Sequence, residues 1–243
     1  MADWLATGQS NMDGRGEGGP FDIDARVTCW DNENDLEDLT NLGTAFVAPN
    51  RNANPFVNGR NNLAIHACSH LAARTGEDQR LILVSKGAEG ISTWMGADGT
   101  PGPMYERVAA VLDAAGVSSV DGVFYHQGEG GITLAQFALL LSAWESDGVI
   151  SPTTPIVMGQ LSLSESHATG NSRILDIVNS SDRIGLALCG HYPTSDGTHY
   201  LGYALADIGR LYAEEALRLM GGRPKVPASS LPARAIGGRL LGF

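Results

Sequence analysis

Basic residues are scarce in this chain. Lys and Arg together number 16 against 27 Asp and Glu, a formal net charge of −11 over 243 residues. Attraction to phosphate needs clustered Lys and Arg, so DNA, RNA and anionic membrane surfaces are not expected partners. Cysteine is scarce too: Cys29, Cys68 and Cys189 are odd in number, and no two form a C-x-x-C pair. Neither a disulfide framework nor a zinc knuckle is indicated. No run of about 18 apolar residues exists, so no membrane-spanning helix is expected. Met1 leads directly into Trp4-Leu5-Ala6-Thr7, without the basic and apolar leader of a secretion signal. The expectation is a protein of the cytoplasm or part of a larger particle.

What is present is ordinary for a globular enzyme: 43% hydrophobic and 18% charged residues. A chain of this length buries very roughly 70–75% of its unfolded surface, enough for a core without disulfide or metal. Short apolar runs at 4–7, 81–85, 122–126, 155–159 and 184–189 predict five strands. Helical patterns at 61–74, 104–115, 132–146, 170–180 and 202–220 alternate with them. That alternation predicts an α/β domain over 1–222, with a mostly parallel, five-stranded sheet covered on both faces. Residues 13–60 break the rhythm, being rich in Gly, Asn and Asp, and predict a loop-rich insertion with a short strand at 26–30. Residues 223–243 carry Pro224, Pro227 and Pro232 and predict a peripheral extension.

Three motifs stand out: Gly8-Gln9-Ser10-Asn11-Met12, His126-Gln127-Gly128-Glu129 and Asp196-Gly197-Thr198-His199. The first two follow predicted strands, and the third precedes the last predicted helix. In an open parallel sheet all three would meet at the carboxyl edge. A serine hydroxyl needs a neighbouring base to take its proton, and that base needs a third group to fix its tautomer. Asp196 and His199, three residues apart, suit the orienting carboxylate and the base, and Ser10 suits the nucleophile. The order Ser, Asp, His is also that of α/β-hydrolases, but Met12 stands where their G-x-S-x-G elbow needs Gly, and the Asp–His spacing is too short.

Together the motifs resemble those of the SGNH hydrolases related to sialate O-acetylesterases and carbohydrate esterase family 6. Lys86-Gly87 through Trp94 is similar to that family's second block, and the likeness runs from residue 4 to about residue 220. The resemblance implies a three-layer α/β/α sandwich of flavodoxin-like form and a serine esterase without cofactor or metal. It implies acetyl esters of carbohydrates as substrates. By position, Ser10, Asp196 and His199 become the catalytic triad. Backbone N–H groups at Ser10 and Gly87, with the Gln127 amide, become the oxyanion hole. Gln9, Asn11, Gly90, His126 and Glu129 fall around it as supporting residues, and Gly90 competes with Gly87 for the second-block donor. Two departures are visible: Gly87-Ala88 replaces a Gly-Gly pair, and Gly130-Gly131 follows Glu129 where the family has Ser or Ala, then Asp. The alternatives are a lipase or thioesterase of the same fold acting on another small acyl ester, or a non-catalytic carbohydrate-binding module of a viral or surface particle.

Other patterns carry less. Gly14 to Gly19 satisfies G-x-G-x-x-G, but Pro20 follows and no helix opens there, so a loop is expected. His66 and His70 lie four apart without a third ligand and predict an ordinary amphipathic helix. Asp31, Glu33 and Asp35 lack the Gly and Glu of a calcium loop.

Overall fold

The central strands of this chain are short stretches with apolar side chains on both faces. The computed structural model describes residues 1–14, 16, 22–32, 41–49 and 61–221. Seven strands, β1 (Ala2–Gly8), β2 (Val27–Trp30), β3 (Phe46–Val47), β4 (Gln79–Ser85), β5 (Gly122–His126), β6 (Ile156–Gly159) and β7 (Ile184–Ala187), form one sheet in the order β3-β2-β4-β1-β5-β6-β7. Every pairing is parallel except that of β2 with β3. The expected five strands are all present. The sheet exceeds that expectation by two: the short strand at 26–30 joins it as β2, and β3 adds a two-residue antiparallel edge.

Among the described residues six α-helices flank the sheet: α1 (Ser10–Asp13), α2 (Leu63–Thr75), α3 (Pro103–Ala114), α4 (Leu134–Ser146), α5 (Ala168–Asn179) and α6 (Gly202–Met220). Side chains alternate across a strand, so each strand feeds two cores. Leu5, Ile82, Val84, Val123 and Tyr125 pack under α3, α4 and α5 with Val108, Phe137 and Ile177. Trp4, Ala6, Leu81, Leu83 and Phe124 pack under α2 and α6 with Leu71, Ile208 and Tyr212. The result is three layers. Each fully buried aliphatic or aromatic side chain is worth about 1.5–3 kcal/mol, so both faces are needed to hold the sheet. Trp4 stacks on Phe124 at 4.6 Å while its indole N–H donates to Gln79 Oε1 at 2.8 Å, so its polar edge is not left bare.

The topology also fixes where a site can form. Chain leaving β1 enters α1, whose Met12 belongs to the core under α2 and α6, whereas chain leaving the adjacent β4 enters α3 on the opposite face. Loops that part to opposite faces leave a crevice at the carboxyl edge of the sheet. Residues 222–243, with the proline-rich extension, lie outside the described residues, as do Glu33, Asp35 and most of the Gly14–Gly19 stretch. Asp31 accepts from the backbone N–H groups of Thr44 and Ala45, and so closes a turn.

Candidate active site

Ser10 stands at the first position of α1, immediately beyond β1. The chain can turn there because Gly8 has φ +139° and a β-carbon on it would lie 2.1 Å from the His126 carbonyl oxygen. Gln9 then anchors the turn to the neighbouring loop: its N–H donates to His126 O at 2.9 Å, and its Oε1 accepts from Gly130 N at 3.0 Å. The Ser10 side chain faces the crevice and reaches His199, with Oγ 2.9 Å from Nε2.

His199 is presented by a closed turn. Ser195 N–H donates to His199 O, an isolated bridge joins Thr194 and Tyr200, and Gly197 sits at φ +87°. Asp196 Oδ1 accepts from the N–H groups of Thr198 and His199, at 2.9 and 2.8 Å, while Oδ2 lies 2.6 Å from His199 Nδ1. The His199 backbone N–H first, and its imidazole second, hold the Asp196 carboxyl down at about 2. The carboxylate therefore fixes the tautomer in which Nε2 is free to accept the Ser10 proton.

The expected oxyanion donors divide. The Ser10 and Gly87 N–H groups have no partner among the described residues, and their strands are neighbours paired Gly8 to Ser85. Ala88, which replaces the second Gly of the resembled pair, holds φ +62°, the left-handed conformation a Gly would adopt freely. Gly90 instead presses on the third-block loop: a β-carbon there would meet Gly130 O at 2.6 Å, and one on Gly130 would meet Glu89 O at 2.5 Å. That contact accounts for the glycines at 90 and 130.

Gln127 departs from its expected role. It is fully buried, and its amide nitrogen donates to Gly131 O at 2.9 Å and Glu89 O at 3.4 Å. Both amide hydrogens are thus engaged by carbonyls of the two loops, and the side chain ties those loops together.

His126 and Glu129 lie beneath the site. His126 Nδ1 is 2.8 Å from the Tyr212 hydroxyl, which itself donates to Tyr125 O, so Nδ1 is the donor. Burial, with nearby His167 adding to it, pushes the His126 imidazole down to about 3, and burial pushes the Glu129 carboxyl up. Their 3.9 Å approach is accordingly a contact of groups driven toward neutrality, not an ion pair. Asn11 connects the motifs: its Nδ2 donates to Thr198 O at 3.0 Å and Glu129 Oε1 at 3.2 Å, and its Oδ1 accepts from Tyr200 N at 3.0 Å.

Two residues escaped the motif reading. Ser162 Oγ donates to Gly197 O at 2.5 Å and lies 2.7 Å from Nδ1 of the buried His167, bracing the Asp196–His199 turn from the β6 side. The available signal was the position of Gln160-Leu161-Ser162 just past a predicted strand, on the edge where the other motifs gather. His66, by contrast, is bonded within the α2 region, to Asn61 Oδ1 at 2.8 Å.

A family model described as carbohydrate esterase, sialic acid-specific acetylesterase, matches residues 2–218. The chain belongs to this family. Solved structures agree on the fold of this carbohydrate esterase. A carbohydrate acetylesterase from Xanthomonas citri is similar over 91% of the chain with a TM-score of 0.66 and 18% identity, and the chain spans 57% of that protein. A protein from Arabidopsis thaliana is similar over 89% of the chain and 98% of its own, at TM-score 0.68 and 15% identity. NanS is similar over 91% and 98%, at TM-score 0.61 and 15% identity. Comparison with curated protein sequences gives no match.

Proposed function

We propose that this esterase removes acetyl groups from O-acetylated carbohydrates through an acyl-enzyme on Ser10. The observation that carries the reading is the unbroken chain Ser10 Oγ–His199 Nε2 at 2.9 Å and His199 Nδ1–Asp196 Oδ2 at 2.6 Å. His199 takes the hydroxyl proton as Oγ attacks the ester carbonyl, and the developing oxyanion is met by the N–H groups of Ser10 and Gly87. Collapse returns the proton to the departing sugar oxygen. Water, activated by the same imidazole, then releases acetate and restores Ser10. Gln127 has no donor to spare for this step and acts by holding the oxyanion loop in shape.

The test is acetate release from a panel of acetylated sialic acids and acetylated xylo-oligosaccharides, with nitrophenyl acetate and a long-chain nitrophenyl ester alongside. Short acyl chains should be strongly preferred. Ser10→Ala should fold normally and lose activity by about 10⁴-fold or more. A pure, folded Ser10→Ala protein that kept a tenth of parent turnover would remove Ser10 from the mechanism.

A further inference from the structure

We infer that Asn11 and Glu129 are positioning residues that set the distance between Ser10 and His199. The inference rests on the reading of those two as nucleophile and base. His199 lies on a surface turn, its side chain about one-third exposed, and Asp196 beside it is half exposed. Nothing within that turn fixes where it stands relative to β1. Asn11 does. It follows Ser10 directly, and one amide grips the turn on both sides of His199: Thr198 O accepts from Nδ2 and Tyr200 N–H donates to Oδ1. The nucleophile and the base, 189 residues apart in the chain, are thereby held by a single side chain rooted next to the nucleophile.

The amide can grip only one way round. Thr198 O and Glu129 Oε1 both accept, so both require the Nδ2 end, while Tyr200 N–H requires the Oδ1 end. Glu129 supplies the bond that the Thr198 carbonyl alone leaves unfilled. Its side chain is 8% exposed, and Oε2 has no partner among the described residues. A carboxyl placed at such cost in an otherwise packed loop, aimed at the amide that holds the catalytic turn, has a specific use. It keeps Asn11 from rotating.

The experiment compares Asn11→Asp, Asn11→Ala, Glu129→Gln and Glu129→Ala with the parent and with Ser10→Ala. Each is measured for kcat and KM on nitrophenyl acetate, for the inactivation rate by a fluorophosphonate, and for melting temperature. Asn11→Asp is isosteric and expected to fold, but it loses both donated bonds and puts a second carboxyl group against Glu129. Its kcat and inactivation rate should fall together by about 10–100-fold, with KM within about threefold, because misplacement by about an ångström is felt in the reaction step. Asn11→Ala should behave alike. Glu129→Gln still offers an oxygen to Asn11 and should stay within about threefold of the parent, whereas Glu129→Ala should lose about tenfold. The double alanine variant should be no worse than Asn11→Ala, since the two act through one another. Folded Asn11 variants with both rates within threefold of the parent, or an unimpaired Glu129→Ala, would overturn the inference while an inert Ser10→Ala left the esterase reading standing. An active Ser10→Ala would overturn both.

Discussion

Gln127 and Ala88 sit on adjoining loops at the sheet edge, and each is under a local constraint that one substitution can release. Removing the Gln127 amide leaves Gly131 O with the Ile91 N–H and takes from Glu89 O its donor in a part-buried setting. Leaving a buried acceptor unpaired costs about 1–3 kcal/mol and a part-buried one toward the lower end, so Gln127→Ala, which also empties a fully buried side-chain site, should lower the melting temperature, and its activity loss should follow that instability. If the variant kept parent stability while kcat fell about 100-fold at constant KM, Gln127 would be an oxyanion donor after all. Ala88 is the opposite case. It is exposed and holds φ +62°, so Ala88→Gly removes no packing and relieves left-handed strain. Strain relief of about 1–2 kcal/mol outweighs the roughly 0.5–1 kcal/mol that glycine adds in chain entropy. A rise of about 1–3 °C in a thermal melt is expected, and a fall would mean that the turn does not hold this conformation.

The elements that carry the site differ in how plainly the sequence announces them. β1, β4, β5, β6 and β7 are legible because parallel strands buried on both faces read as short apolar runs. β3 is not, since Phe46–Val47 is too short to show any period, and its place comes from pairing with β2. The proposed triad is legible for a chemical reason: Ser10, Asp196 and His199 are reactive types in tight motifs. Gln127 shows the limit of the same reasoning, because residue type tells that an amide is present but not which way its hydrogens point. Ser162 and His167 lie in a serine-rich loop with no spacing of their own, so their grip on Gly197 appears only once β6 and β7 are side by side. Helix termini make a separate test that stays clear of the chemistry. The Thr133 hydroxyl caps α4 by accepting from Gln136 N at 3.2 Å. Thr133→Ala should cost about 1 kcal/mol, or about 2–4 °C, with kcat and KM unchanged. A change in kcat would tie α4 to the site in a way its packing does not suggest.

For the whole molecule the governing variable is pH, because buried histidines link folding to protons. Burial pushes His66 down to about 4 and His126 to about 3, from an ordinary 6.5, and the less buried His70 and His167 are lowered too. A histidine depressed in the folded state binds its proton more readily when the chain unfolds. Its contribution is therefore complete above about pH 6.5 and drains away as pH falls toward the folded value. Each tenfold difference in proton affinity is worth about 1.4 kcal/mol, so His66 and His126 together withdraw several kcal/mol by pH 4. That is a large share of the roughly 5–15 kcal/mol that holds a typical domain. Asp24 and Asp196, held at about 2, keep their contributions until the pH drops below their ordinary 3.8, so they do not shape this window. Glu129 works the other way, since its raised carboxyl favours the folded state as pH falls, but it is one group against two buried histidines. Urea midpoints should therefore decline steadily from pH 7 to 4.5, and His126→Gln should flatten the decline even if it lowers stability at pH 7. Rates taken within seconds of an acid jump, and again after return to neutral pH, separate this unfolding from changes that reverse at once. A midpoint constant between pH 7 and 4.5 would mean that these imidazoles are solvated in the folded protein, against the packing that places His126 beneath Tyr200 and Tyr212.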